Sequence, residues 1–107
     1  MSGTITGGLA SGYQRATGTL GAAGAGVAVS IPRLCDFTLS LSGPFVGSAV
    51  LERSADGNAP WIACTSGGTV VSFSGPCVEL CREVPGGFYR VNCTAYTSGT
   101  ITWRIDW

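Results

Sequence analysis

Apolar and polar residues alternate with period two through most of this chain, and no stretch repeats with the 3.6-residue period of a helix. Val27, Val29 and Ile31 alternate with Ala28 and Ser30 before Pro32 interrupts, and Phe37, Leu39 and Leu41 alternate with Thr38, Ser40 and Ser42. Ser42-Gly43-Pro44 marks a turn, and strands are predicted next over 45–53, 61–64 and 69–73, separated by Asp56-Gly57-Asn58 and Gly67-Gly68. After Gly75-Pro76 a strand is predicted over 77–84, with Val78, Leu80 and Val84 on one face. Pro85-Gly86-Gly87 leads into 88–96, where Tyr89, Val91, Cys93 and Ala95 share a face. Thr97-Ser98-Gly99 then turns the chain into a last strand in which Ile101, Trp103, Ile105 and Trp107 alternate with Thr100, Thr102, Arg104 and Asp106. Such alternation sets one face of each strand against a core and the other toward water. With turn signals roughly every 8–12 residues, it predicts an all-β fold, an antiparallel β-sandwich of the jelly-roll or Ig-like kind with about seven or eight strands.

The first 26 residues read differently. They are Gly, Ala, Ser and Thr with only Ile5, Leu9, Tyr13 and Leu20 as sizeable apolar groups. Ordering such a tract costs much backbone entropy and buries little. Residues 1–26 are therefore expected to form an extended Gly-rich arm, and residues 27–107 the sandwich domain. Ile5, Leu9, Tyr13 and Leu20 are the side chains expected to anchor that arm on a partner.

Charge narrows the function. Asp, Glu, Lys and Arg make up 11% of the chain, against roughly 25% in an average soluble domain. All six cations are Arg, the formal net charge is zero and His is absent. Six scattered Arg leave no basic face, so nucleic acid is not an expected partner. No apolar run approaches the ~18 residues that a membrane helix needs, and no basic region with an apolar core opens the chain, so synthesis in a cytoplasm and no membrane partner are expected. Without imidazole the commonest general base and metal ligand are missing. The acids Asp36, Glu52, Asp56, Glu79, Glu83 and Asp106 include no pair evidently set as acid and base, and no catalytic residue is assigned. Cys35, Cys64, Cys77, Cys81 and Cys93 contain no Cys-x2-Cys pair and read first as small core residues. One or two disulfides formed in an oxidising medium are a second reading. No metal site and no cofactor are expected.

Two motifs remain. Ser54-Ala55-Asp56-Gly57-Asn58-Ala59-Pro60-Trp61 resembles the Asp-box, Ser-x-Asp-x-Gly-x-Thr-Trp, with Asn58 in place of Gly and Pro60 in place of Thr. A carboxylate at the third position can accept backbone N–H groups of the turn, so Ser54, Asp56, Asn58 and Trp61 are expected to build a structural hairpin. A broader likeness spans residues 37–107. Val50-Leu51-Glu52-Arg53-Ser54-Ala55-Asp56-Gly57 with Trp61, and the run from Gly87-Phe88-Tyr89-Arg90 through Thr97-Ser98-Gly99-Thr100, are similar to hairpins of small β-sandwich proteins encoded among phage and prophage structural genes. That resemblance implies a bacteriophage virion component made in the bacterial host cytoplasm, a capsid decoration or cement protein. It would contact the major capsid protein and copies of itself as a homo-oligomer. The alternative is a tail-tip or fibre sandwich that binds a host glycan or surface protein.

Overall fold

A computed structural model describes residues 2–6, 14–83 and 86–107, and every regular element among them is a β-strand. In chain order these are β1 (Ser2–Thr6), β2 (Arg15–Leu20), β3 (Gly24–Ala25), β4 (Val29–Ile31), β5 (Cys35–Ser42), β6 (Phe45–Ser54), β7 (Ile62–Ala63), β8 (Thr65–Ser66), β9 (Thr69–Val70), β10 (Ser72–Phe73), β11 (Cys77–Glu83), β12 (Gly87–Gly99) and β13 (Ile101–Asp106). Two antiparallel sheets form the sandwich. The first has the order β1-β2-β13-β5-β11. The second is built on the long β6–β12 ladder, with β7 and β10 along the far side of β6 and β3 and β4 along the far side of β12. β8 and β9 make a separate small hairpin.

The period-two pattern fills the space between the sheets. Phe37, Leu39 and Leu41 of β5 and Ile101, Trp103 and Ile105 of β13 come from the first sheet. Val29, Ile31, Ala49, Leu51, Tyr89, Val91 and Cys93 come from the second. Across this core the rings of Phe37 and Tyr89 pack with centroids 4.6 Å apart at 49°, a tilted arrangement that suits their quadrupoles. Arg53 caps one end, donating from Nε to the Tyr89 hydroxyl at 3.2 Å and from Nη2 to the Gly86 carbonyl. Trp103 is 1% exposed, and the chain passes close above it at Gly26, whose N–H donates to the Val91 carbonyl at 2.7 Å. A Cβ at residue 26 would stand 3.1 Å from Trp103 Nε1, so only glycine fits this crossing without a shift.

Three expectations change. First, β2 lies inside the expected arm, yet it is the strand between β1 and β13. Ala16 and Leu20 are buried at 0% and 4% exposure, so Leu20 belongs to the chain's own core and the sandwich extends back at least to Arg15. The register sets Gly18 opposite Trp103, where the smallest residue accompanies the largest. Ile5 lies on β1 opposite Ala16 of the same chain; Leu9 and Tyr13 lie outside the described residues. Second, β11 turns the other way from the core strands. Cys77, Glu79 and Cys81 stand opposite Leu41, Leu39 and Phe37, which face the core, so Val78 and Leu80 face outward at 71% and 72% exposure; Val84 lies outside the described residues. Third, the β6–β12 register shifts between Cys93 and Ala95 and again between Tyr96 and Ser98. Each bulge adds a residue, which leaves Ala95 exposed and keeps Thr97, Ser98 and Gly99 in the strand. The predicted seven or eight strands become thirteen among the described residues because several pairings last only two residues.

Candidate functional site

The Asp-box-like segment leaves the end of β6 and folds back over the outer face of the second sheet. Ser54 is buried at 3% exposure, and its hydroxyl accepts the Gly57 N–H at 3.0 Å. Its one proton is shared between the Asn58 carbonyl, 2.5 Å away, and Asp56 Oδ1, 3.1 Å away. The same Oδ1 accepts the Asn58 N–H at 3.0 Å. These contacts, the Asn58 backbone first and the Ser54 hydroxyl second, hold the Asp56 carboxyl below its ordinary value because they favour the ionised form. Gly57 has φ of +86° and sits over the Phe88 ring. Ser54, Asp56 and Asn58 thus meet in one turn. Trp61, three residues further on, stacks with the Arg90 guanidinium, 4.2 Å from the ring centroid.

Arg90 leads into a polar cluster that sequence reasoning did not single out. Its Nε donates to Glu52 Oε1 at 2.8 Å, and Asn92 Nδ2 donates to Glu52 Oε2 at 3.0 Å. Glu52 and Arg90 are directly opposite in the β6–β12 register, so the signal lay in a cross-strand pairing that one strand alone does not reveal. On the outer face of the first sheet, Asp106 accepts Arg15 Nε at 2.6 Å and Arg104 Nε at 3.0 Å. Glu52, Asp56 and Asp106 are therefore occupied in holding strands and a turn. Among the described residues, no group of three or more His, Cys, Asp or Glu side chains gathers where it could hold a metal ion.

Two of the three most exposed large apolar side chains among the described residues, Val78 and Leu80, stand on β11. It ends the first sheet and has β5 as its strand neighbour on one side. Val78 and Leu80 project from it beside Ser40 and Thr38. Leu34, just before β5, is 73% exposed and holds a φ of +59°, a conformation that costs a branched side chain of order 1 kcal/mol or more. Beneath β11, a cavity of about 230 Å³ is lined by Phe37, Glu79 and Cys81 of the first sheet, by Leu51 and Phe73 of the second, and by Cys64 in the link between β7 and β8. Burial first, and then the neighbouring Cys64, Glu79 and Cys77, push the Cys81 thiol up to about 11. Burial also raises Cys77, with Glu79 adding to the shift.

Fold and surface define an antiparallel two-sheet sandwich with an exposed apolar pair on β11, an end strand of the first sheet. Comparisons with protein-family models, curated proteins and solved structures find no match for the chain.

Proposed function

We propose that this chain is a non-enzymatic virion structural protein, a capsid decoration or cement protein. In this reading its β11 face docks on the lattice of a major capsid protein and on neighbouring copies of itself. The observation that carries the reading is the pair Val78 and Leu80, each more than two-thirds exposed on a strand that ends its sheet. Fully burying each would contribute roughly 1.5–3 kcal/mol. Ordering costs offset part of that per contact, and repetition over a lattice multiplies the remainder. The resemblance to phage sandwich proteins supplies the virion context; its first motif spans the end of β6 and the turn after it, its second follows β12, and the two strands pair with each other. Tyr89 and Trp103, both 1% exposed, are taken up by the core, so they offer no platform for a glycan.

The test is cryo-electron microscopy of particles assembled with the wild-type chain or with the double variant Val78→Thr/Leu80→Thr. Wild-type density over the whole head surface is expected, with occupancy at least tenfold lower for the variant at limiting protein. Copies confined to the tail, or equal occupancy by the folded variant, would overturn the reading.

A further inference from the structure

We propose that Cys64 and Cys81 are a thiol pair that oxidises to a disulfide joining β11 to the link between β7 and β8. Both residues line the same cavity of about 230 Å³, Cys81 from β11 of the first sheet and Cys64 from the link between β7 and β8. Neither sits on an untethered loop. The Cys64 N–H donates to the Leu51 carbonyl of β6 at 2.8 Å, and its carbonyl accepts the Val71 N–H at 3.1 Å. Cys81 is held in the β11–β5 ladder opposite Phe37. Negative charge on Cys64 raises the Cys81 thiol, a second sign that the two sulfurs are neighbours. Cys93 is 2% exposed within the core, and Cys35 lies at the start of β5, opposite Glu83; neither lines this cavity.

The chemistry needs a small disulfide oxidant such as oxidised glutathione. One thiol loses its proton, its sulfur attacks the oxidant, and the S–S bond breaks to release one glutathione thiolate and leave a mixed disulfide. The second cysteine, deprotonated in turn, attacks the protein-bound sulfur and releases the second glutathione. The protein loses two protons and two electrons, and one oxidised glutathione becomes two reduced molecules. The bond would tie β11, which pairs with β5 alone among the described strands, to the β7–β8 link that Cys64 holds on β6. It would also close a loop of about 18 residues in the unfolded chain, the length at which such links stabilise appreciably.

The experiment starts from fully reduced, folded protein, treats it exhaustively with oxidised glutathione at pH 9.5, where the thiolate fraction of Cys81 is larger than at neutral pH though still small, and maps the products. Chymotrypsin cleaves after Trp61, Phe73, Leu80 and Phe88, which puts Cys64, Cys77 and Cys81 on separate peptides. The expected product is peptide 62–73 linked to peptide 81–88, about 2 Da lighter than the two free peptides together, with a melting temperature higher by on the order of 10 °C, reversed by dithiothreitol. Cys64→Ser and Cys81→Ser should each abolish the link, while Cys77→Ser should keep it. Mixed disulfides that persist on Cys64 or Cys81, a link through Cys77, or Cys64 and Cys81 still free after exhaustive treatment would each overturn the pairing; Cys35, Cys77 and Cys93 lie outside the pair and are free or glutathione-capped in either case. None of these outcomes bears on capsid docking.

Discussion

Replacing Ser54 with Ala tests whether the turn after β6 is built around that hydroxyl. The side chain is 3% exposed and lies within 3.1 Å of three polar partners: the Gly57 N–H, the Asn58 carbonyl and Asp56 Oδ1. Alanine leaves almost no void, so the cost comes from lost hydrogen bonds. The Gly57 N–H and the Asn58 carbonyl lose their Ser54 partner together. Each net hydrogen bond is worth about 0.5–1.5 kcal/mol, and a buried group left unpaired costs about 1–3 kcal/mol. Asp56 still accepts the Asn58 N–H, so part of the turn survives. We expect a loss of about 2 kcal/mol, equivalent to roughly 8–16 °C in melting temperature for a domain of this size. Urea unfolding followed by tryptophan fluorescence and circular dichroism reads the change, and an unaltered denaturant slope shows that the fold is retained. Ser48→Ala is the matched control, since its exposed hydroxyl pairs with Thr94 at 3.1 Å and should cost less than about 0.5 kcal/mol. If Ser54→Ala costs no more than Ser48→Ala, the turn does not depend on the hydroxyl and the reasoning fails.

The reversed facing of β11 gives a second check. Val78→Thr/Leu80→Thr should change monomer stability by no more than about 0.5 kcal/mol, whereas Leu39→Ala, one strand away, should cost about 2–5 kcal/mol; a large loss in the double variant would return those residues to the core. Cys81 predicts a pH dependence. Its folded thiol titrates at about 11 against an ordinary 9.0, so between those values the unfolded chain has released a proton that the folded chain retains. Stability therefore falls as pH rises from about 9 to about 11, and Cys81→Ser should flatten that part of the curve relative to wild type in parallel melts.

Much of the sandwich is legible in the order of residues because three runs carry large apolar groups at every second position. Phe37–Leu39–Leu41, Tyr89–Val91–Cys93 and Ile101–Trp103–Ile105 each have one face too apolar to leave in water, and all nine residues are buried. The turn from Ser54 to Asn58 is equally local, since its hydrogen bonds span four residues or fewer. Elsewhere the pattern does not choose. Ala16, Gly18 and Leu20 also alternate, but alanine and glycine bury too little to announce a strand, and β2 exists because the first sheet needs a neighbour for β13 that is small beside Trp103. In β11, Val78 and Leu80 compete with Cys77 and Cys81, so both faces are partly apolar and period two is silent about which goes inside. The register against β5 decides it: residues opposite Phe37, Leu39 and Leu41 must share their face, and the larger side chains of β11 are left in water. The surface proposed to dock and the cysteine pair beneath it both follow from that one long-range pairing.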